Sequence, residues 1–181
     1  MNGRLAKRYA RALLDLAREA DALEAWETEL TRAAAAFSEP RLQPILLSPA
    51  IDGAARRRTA RAVADALALP PIVRNLILVL ADRDRLALLP DVARWYDQLL
   101  DDAVGRARVT IRSAVALAAP EKSALVDLAR RLTKSREVLA TSEVDPELLG
   151  GVVLDVGGTV YDGSVRSQLA RLGKEMAEDG A

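Results

Sequence analysis

The residues best placed to do chemistry lie at 150–172, GGVVLDVGGTVYDGSVRSQLARL, where five of the chain's ten glycines fall within fourteen positions. Gly158 to Gly163 spells the first half of a phosphate-binding loop. Such a loop needs G-x-x-x-x-G-K-[ST], because the lysine neutralises phosphate and the hydroxyl holds magnesium. Here Ser164 stands at the lysine position and Val165 at the hydroxyl position. The intervening TVYD consists of strand formers, not of a flexible cradle. The glycines are therefore read as turn residues: Gly157-Gly158 closes a hairpin, and Gly163 frees the approach to the next helix. No nucleotide cofactor is expected.

Other routes to catalysis are sparse. The chain has no His and no Cys, which removes thiol chemistry, disulfides, the usual general base and nearly every zinc site. Paired carboxylates occur at Asp101-Asp102 and at Asp82 with Asp84. Adjacent helical residues point apart, and Arg83 and Arg85 alternate with the second pair, so both pairs are read as solvated, self-neutralising surface. Arg56-Arg57-Arg58 with Arg61 is the one basic run. It lacks interleaved aromatics and is read as a solvated helix face, partly offset by Asp65. No catalytic residue and no metal site is expected.

The elements follow from hydrophobic spacing. With 181 residues, half of them apolar, and 26 basic against 26 acidic groups, the chain suits one or two globular domains and presents no net field to attract nucleic acid. No apolar run is long enough to span a bilayer, and the start reads as mature structure, not a signal peptide. Residues 4 to about 103 show helical spacing. The first stripe is Ala6, Tyr9, Leu13, Leu16, Ala20, Leu23; the second adds Trp26, Leu30, Ala34 and Phe37. A short apolar piece, LQPILL, comes third. A fourth helix starts near Asp52 as its cap, and a fifth, PIVRNLILVLADRD, is apolar nearly all round. The sixth carries Val92, Trp95, Tyr96, Leu99 and Leu100. These make a six-helix bundle.

The period changes after Gly105, in the polar stretch DDAVGRAR. From Ala107 to Leu117 apolar residues alternate with Arg108, Thr110 and Arg112, a strand with one wet face. A helix from Pro120 to about Lys134 carries Leu125, Leu128, Ala129 and Leu132, and EVLATSEV is a second strand. VVLDV and TVYD form a β-hairpin that sets Leu154 opposite Tyr161 and Val156 opposite Thr159. Ser164 caps a last helix through Val165, Leu169, Leu172 and Met176. The expected fold is α+β in two domains: residues 1–104 a six-helix bundle, residues 105–181 a small α+β domain with a β-hairpin. Within the apolar stripes, Ala12 and Asn75 leave two readings open. Either they serve plain packing, or they mark a groove that receives an amphipathic helix from another protein.

Longer stretches carry a family resemblance. RYARALLDLA at 8–17 resembles the opening of the delta subunit family of bacterial F-type ATP synthases, equivalent to the mitochondrial oligomycin-sensitivity-conferring protein. LADRDRLALLPDVARWYDQLLDDAVGRARVTIRSAVAL at 80–117 resembles its inter-domain region. VDPELLGGVVLDVGGTVYDGSVRSQLARL at 144–172 resembles its C-terminal signature, here Gly150, Gly151, Asp162, Gly163, Ser164, Val165 and Arg166. The resemblance implies a non-catalytic stator subunit working in proton-driven ATP synthesis, present once in a hetero-oligomeric complex and peripheral on the cytoplasmic face of the bacterial cell membrane. It implies that helices one and five hold the N-terminal helix of an alpha subunit, with Tyr9, Ala12, Leu13, Leu16, Asn75, Leu76 and Val79 on those helices. It further implies that the C-terminal domain holds the C-terminal region of the b subunit. Two positions depart from the family pattern: Gly158 stands where Asp or Asn often follows Gly157, and Lys134-Ser135-Arg136 where a glycine is common. A helical-bundle RNA-binding or transcription factor is the alternative, and the zero net charge counts against it.

Overall fold

A computed structural model of the chain describes residues 2–44 and 51–178, with side chains at 3–44 and 51–171. Seven α-helices and a four-stranded sheet are present among these residues. The helices are α1 (Asn2–Glu19), α2 (Leu23–Phe37), α3 (Gly53–Ala66), α4 (Pro71–Asp82), α5 (Leu89–Val104), α6 (Ala119–Thr133) and α7 (Val165–Glu178), with a 3-10 turn at Leu86–Leu88. The apolar piece at 42–47 lies largely outside the described residues, so the fifth helix of the sequence reading is α4. The chain divides into two compact units, Met1–Leu100 and Asp101–Ala181. None of the helices among the described residues is long and apolar enough to cross a membrane.

The first unit is built on small residues. Ala6, Ala10, Ala17, Ala33, Ala60 and Ala64 are all completely buried, and side chains of that size let helices approach closely. Around them Leu30, Val73, Ile77, Leu80, Leu89, Val92, Tyr96 and Leu100 are also fully buried; each large aliphatic among them contributes about 1.5–3 kcal/mol. The observed core stripe of α1 is Ala6, Ala10, Leu13, Leu14 and Ala17. Tyr9 and Leu16, expected within that stripe, sit on its flank instead, because alanines 10 and 17 occupy the closest approach. Lys7 Nζ lies 4.5 Å from the Trp95 ring centroid, a cation–π contact between α1 and α5.

Local signals at the helix ends fared unevenly. Pro71 opens α4 at its first turn, where a missing N–H is harmless. Asp52 precedes α3, but its side chain makes no capping bond; the Arg56 N–H to Asp52 carbonyl bond (2.9 Å) closes that turn. Ser164 caps α7 as expected, its Oγ accepting the Ser167 N–H at 3.2 Å.

In the second unit the strands are β1 (Arg106–Ser113), β2 (Glu137–Val144), β3 (Val152–Val156) and β4 (Thr159–Asp162), in the order β2-β1-β3-β4. β1 and β2 are parallel and joined through α6; β3 runs antiparallel to β1, and β4 antiparallel to β3. Leu154 pairs with Tyr161 and Val156 with Thr159. One sheet face carries Val109, Ile111 and Leu154, which pack with Ala129 of α6. β1 ends at Ser113, so the apolar alternation outlasts the strand, and Val115 is 69% exposed. Leu128 and Leu132, expected on the packed face of α6, are about 40% exposed. Lys134 ends α6 at φ 55°, the left-handed conformation that the absent glycine would adopt without strain.

Tyr96 ties helices of the first unit together. Its hydroxyl donates to the Leu23 carbonyl at 2.9 Å, and burial, with Glu27 and then Asp97 adding, pushes its pKa up from 10.0 to about 12. The native state thus holds the phenol proton more tightly than the unfolded chain. The stability linked to that proton is complete below pH 10.0 and is lost as pH rises toward about 12. Tyr96→Phe should cost about 1 kcal/mol at pH 7. It should also remove this alkaline loss, so wild type and variant converge in urea unfolding measured between pH 9 and 12.

Candidate functional site

The fifth predicted helix is apolar nearly all round, and the structure shows why. One side of α4 supplies Val73, Ile77, Leu80 and Ala81 to the core. The other side, with Ile72, Asn75, Leu76 and Val79, lines a cavity of about 200 Å³ shared with Tyr9, Ala12, Leu13 and Leu16 of α1. All seven groove residues named from the sequence therefore meet in one place, with Ile72 as an eighth. Ile72 was missed, although its position three and four residues before Asn75 and Leu76 puts it on the same helix face.

The groove is open, not a chamber. Leu16 is 42% and Val79 43% exposed, while Leu13 forms the floor at 3%. A small-molecule pocket normally encloses most of its ligand in 300–1,000 Å³. A shallow apolar trough between two helices instead fits the side chains of a third helix. Ala12 and Asn75 are both exposed, so Ala12 is not buried in a helix contact and Asn75 is not a buried polar group. At one end the trough continues into a wider cavity of about 450 Å³, which shares Tyr9, Ala12 and Val79 and adds Leu5, Arg8, Arg83 and Arg85. The Arg85 guanidinium donates to the Tyr9 hydroxyl at 3.2 Å and holds that ring at the rim.

The acidic and basic runs are largely the solvated surface expected, with Arg58, Arg61, Asp82, Asp84 and Asp102 exposed, but Arg56 and Asp101 depart from it. Arg56 is buried at 6% and pairs with Asp84 at 3.0 Å, and Arg57 pairs with Asp82. Asp65 pairs with Arg74 of α4 at 3.1 Å, not with Arg61 on its own helix. Asp101 is also withdrawn from solvent. Its side chain is 13% exposed and accepts from Arg108 Nε at 2.6 Å, with Arg106 at 3.8 Å. Gly105, at φ 69°, takes the left-handed conformation just after α5 ends. Its carbonyl accepts the Arg136 N–H at 2.8 Å, so it is tied into the second unit.

The C-terminal signature is a backbone clasp. The Gly163 N–H donates to the Val152 carbonyl and the Val165 N–H to the Gly150 carbonyl, each at 3.0 Å. A Cβ on Gly151 (φ 79°) would overlap the Gly163 carbonyl oxygen and sit 3.0 Å from Ser164 Cα; a Cβ on Gly150 would lie 3.1 Å from Val165. Asp162 accepts the Ser167 hydroxyl at 2.6 Å and the Ser164 N–H at 2.8 Å. These two bonds, the hydroxyl first, hold its carboxyl below its ordinary range. Arg166 donates to the Glu147 carbonyl at 3.0 Å. Gly150, Gly151, Gly163, Val165 and Arg166 thus fasten the start of α7 to β3 and the segment before it, while Asp162 and Ser164 bond within the start of α7.

Comparison with known proteins covers nearly the whole chain. Residues 5–176 match the family model described as ATP synthase delta (OSCP) subunit. The chain is similar to ATP synthase subunit delta of Anaeromyxobacter dehalogenans, 41% identical over 177 residues, covering 97% of this chain and 98% of the relative. It is 37% identical over 171 residues to ATP synthase subunit delta of Citrifermentans bemidjiense, with 93% of each covered. In fold it resembles a chain of the Toxoplasma gondii mitochondrial ATP synthase hexamer, with a TM-score of 0.65 at 21% identity, covering 96% of this chain and 97% of that one.

The clasp makes a steric prediction. Gly151→Ala should destabilise the second unit by about 2–4 kcal/mol, combining left-handed strain with overlap. Gly157→Asn, at a turn with nothing near its Cβ, should cost less than about 1 kcal/mol. Chemical denaturation of the two variants checks the contrast.

Proposed function

Since the chain belongs to the ATP synthase delta (OSCP) subunit family, we propose that it holds two different partners, one with each unit. It is a non-catalytic stator subunit, linking the catalytic head of an ATP synthase to the peripheral stalk. In the proposed arrangement residues 1–104 are a six-helix bundle whose α1/α4 groove receives the N-terminal helix of an alpha subunit. Residues 105–181 hold the C-terminal region of the b subunit. One copy serves each complex, on the cytoplasmic face of the bacterial cell membrane as a peripheral protein, with neither cofactor nor nucleic acid involved. The observation that carries the groove assignment is the exposed apolar side of α4, facing Ala12 and Leu16 with nothing covering it among the described residues.

The groove assignment predicts that Ala12→Asp weakens binding of a peptide copying the first ~20 residues of the alpha subunit, a helix of about 30 Å. The loss should be about 2–4 kcal/mol, because a charge is desolvated without a partner. Ala12 is solvent-exposed, so the thermal midpoint should move little. Equal affinities for wild type and variant would sink the assignment.

The division of labour makes a separate prediction. A fragment of residues 1–104 should bind the alpha peptide and fail to capture the b subunit, whereas the full chain captures it. Pull-down of a soluble b segment by each protein decides the matter, and capture by the fragment would count against the proposed second contact.

A further inference from the structure

The groove has two chemically different ends, and this inference rests on the groove reading above. Leu13 and Leu16 share their cavity with Ile72 and Leu76, whereas Leu5 and Arg8 share theirs with Val79 and Arg83. Helices α1 and α4 therefore run antiparallel here, and the trough from Leu5 to Leu16 is about 17 Å long, three helical turns. Its Leu16–Ile72 end is apolar. Its other end gathers three guanidinium groups, Arg8, Arg83 and Arg85, around one cavity.

Three other arginines of this unit are neutralised across helices or turns: Arg56 by Asp84, Arg57 by Asp82 and Arg74 by Asp65. At the groove end the Arg85 guanidinium donates to the neutral Tyr9 phenol, and among the described residues it is in no ion pair. Among the described residues neither Arg8 nor Arg83 is in an ion pair. A helix seated on Ala12 and Val79 would exclude water from this cavity. Three like charges would then face the ligand without an anion, which is unfavourable unless the ligand supplies one. Guanidinium groups bind carboxylates through paired, charge-assisted hydrogen bonds. A helix C-terminus would offer only a fractional charge.

We infer that the partner helix carries carboxylate side chains at one end, that these lie over Arg8, Arg83 and Arg85, and that they set the direction in which the helix docks. The apolar side chains of the same helix then fill the trough toward Leu16 and Ile72.

The test uses the full-length chain and the synthetic alpha N-terminal peptide from the same organism, titrated at 50 and 500 mM salt. The Arg8→Gln, Arg83→Gln double variant should bind about 5- to 20-fold more weakly at low salt, with the gap closing at high salt. A peptide with its acidic residues replaced by amides should lose a similar factor against wild type and nothing further against the double variant. Amide replacement at only one end of the peptide should reproduce the whole effect. If the neutral peptide binds wild type as tightly as the native one, the carboxylate inference is overturned while the groove reading stands on the Ala12→Asp result. If the charge effect appears but Ala12→Asp has none, the peptide binds elsewhere and both fall. If no peptide binds, both fall as well. Far-UV circular dichroism confirms that each variant is folded.

Discussion

Helix α4 has more apolar surface than the described residues of its own unit cover. Val73, Ile77, Leu80 and Ala81 are consumed by the core. Ile72, Leu76 and Val79 lie on the other side of a cylinder only three turns long, where among the described residues α1 shares them. Closing the gap would need large side chains on α1. Instead Ala12 stands there, with Tyr9 and Leu16 set back along the flanks. The hydrophobic driving force is proportional to apolar area removed from water, so the face left open among the described residues contributes little to folding.

Ion pairs brace α4 against α3. Net charge is zero, yet the charges are not interchangeable. Arg56, Arg57 and Arg74 are engaged with aspartates on neighbouring helices and turns, which joins α3 to both ends of α4 and to the turn that follows it. Exposed pairs of this kind are worth well under 1 kcal/mol, but Arg56 is buried, and losing Asp84 would strand its charge. Arg85 is spent on Tyr9, orienting the groove rim. Two of the four arginines of the basic run, Arg56 and Arg57, are thereby consumed by structure.

The second unit solves a different problem with backbone geometry. A four-stranded sheet covered by one helix leaves much apolar surface outside, and Val144, Leu149, Val160 and Leu169 are all more than half exposed. What holds the C-terminal helix in register is the clasp of Gly150 and Gly151 against Gly163 to Val165, where two main-chain segments approach too closely for a side chain. The glycines that mimic half of a phosphate loop serve this contact and the Gly157-Gly158 turn.

Much of this was legible in the sequence because it is local. Helical and alternating periods, the Pro71 start, the Ser164 cap and the pairing of Leu154 with Tyr161 depend on residues within a few positions of one another, where backbone hydrogen bonding imposes its own spacing. The groove residues were legible in part, as apolar positions exceeding what one stripe requires. Tertiary structure alone decided the rest. Nothing local says that Arg56 finds Asp84, that β2 lies parallel to β1, that Asp101 is covered by Arg106 and Arg108, or that Gly151 touches Gly163. Each of these joins segments that meet only when the chain closes on itself. The same closure determined which side of α4 would be buried and which left open. Periodicity records how much apolar surface a helix has, and only the positions of its neighbours determine how much of it they can cover.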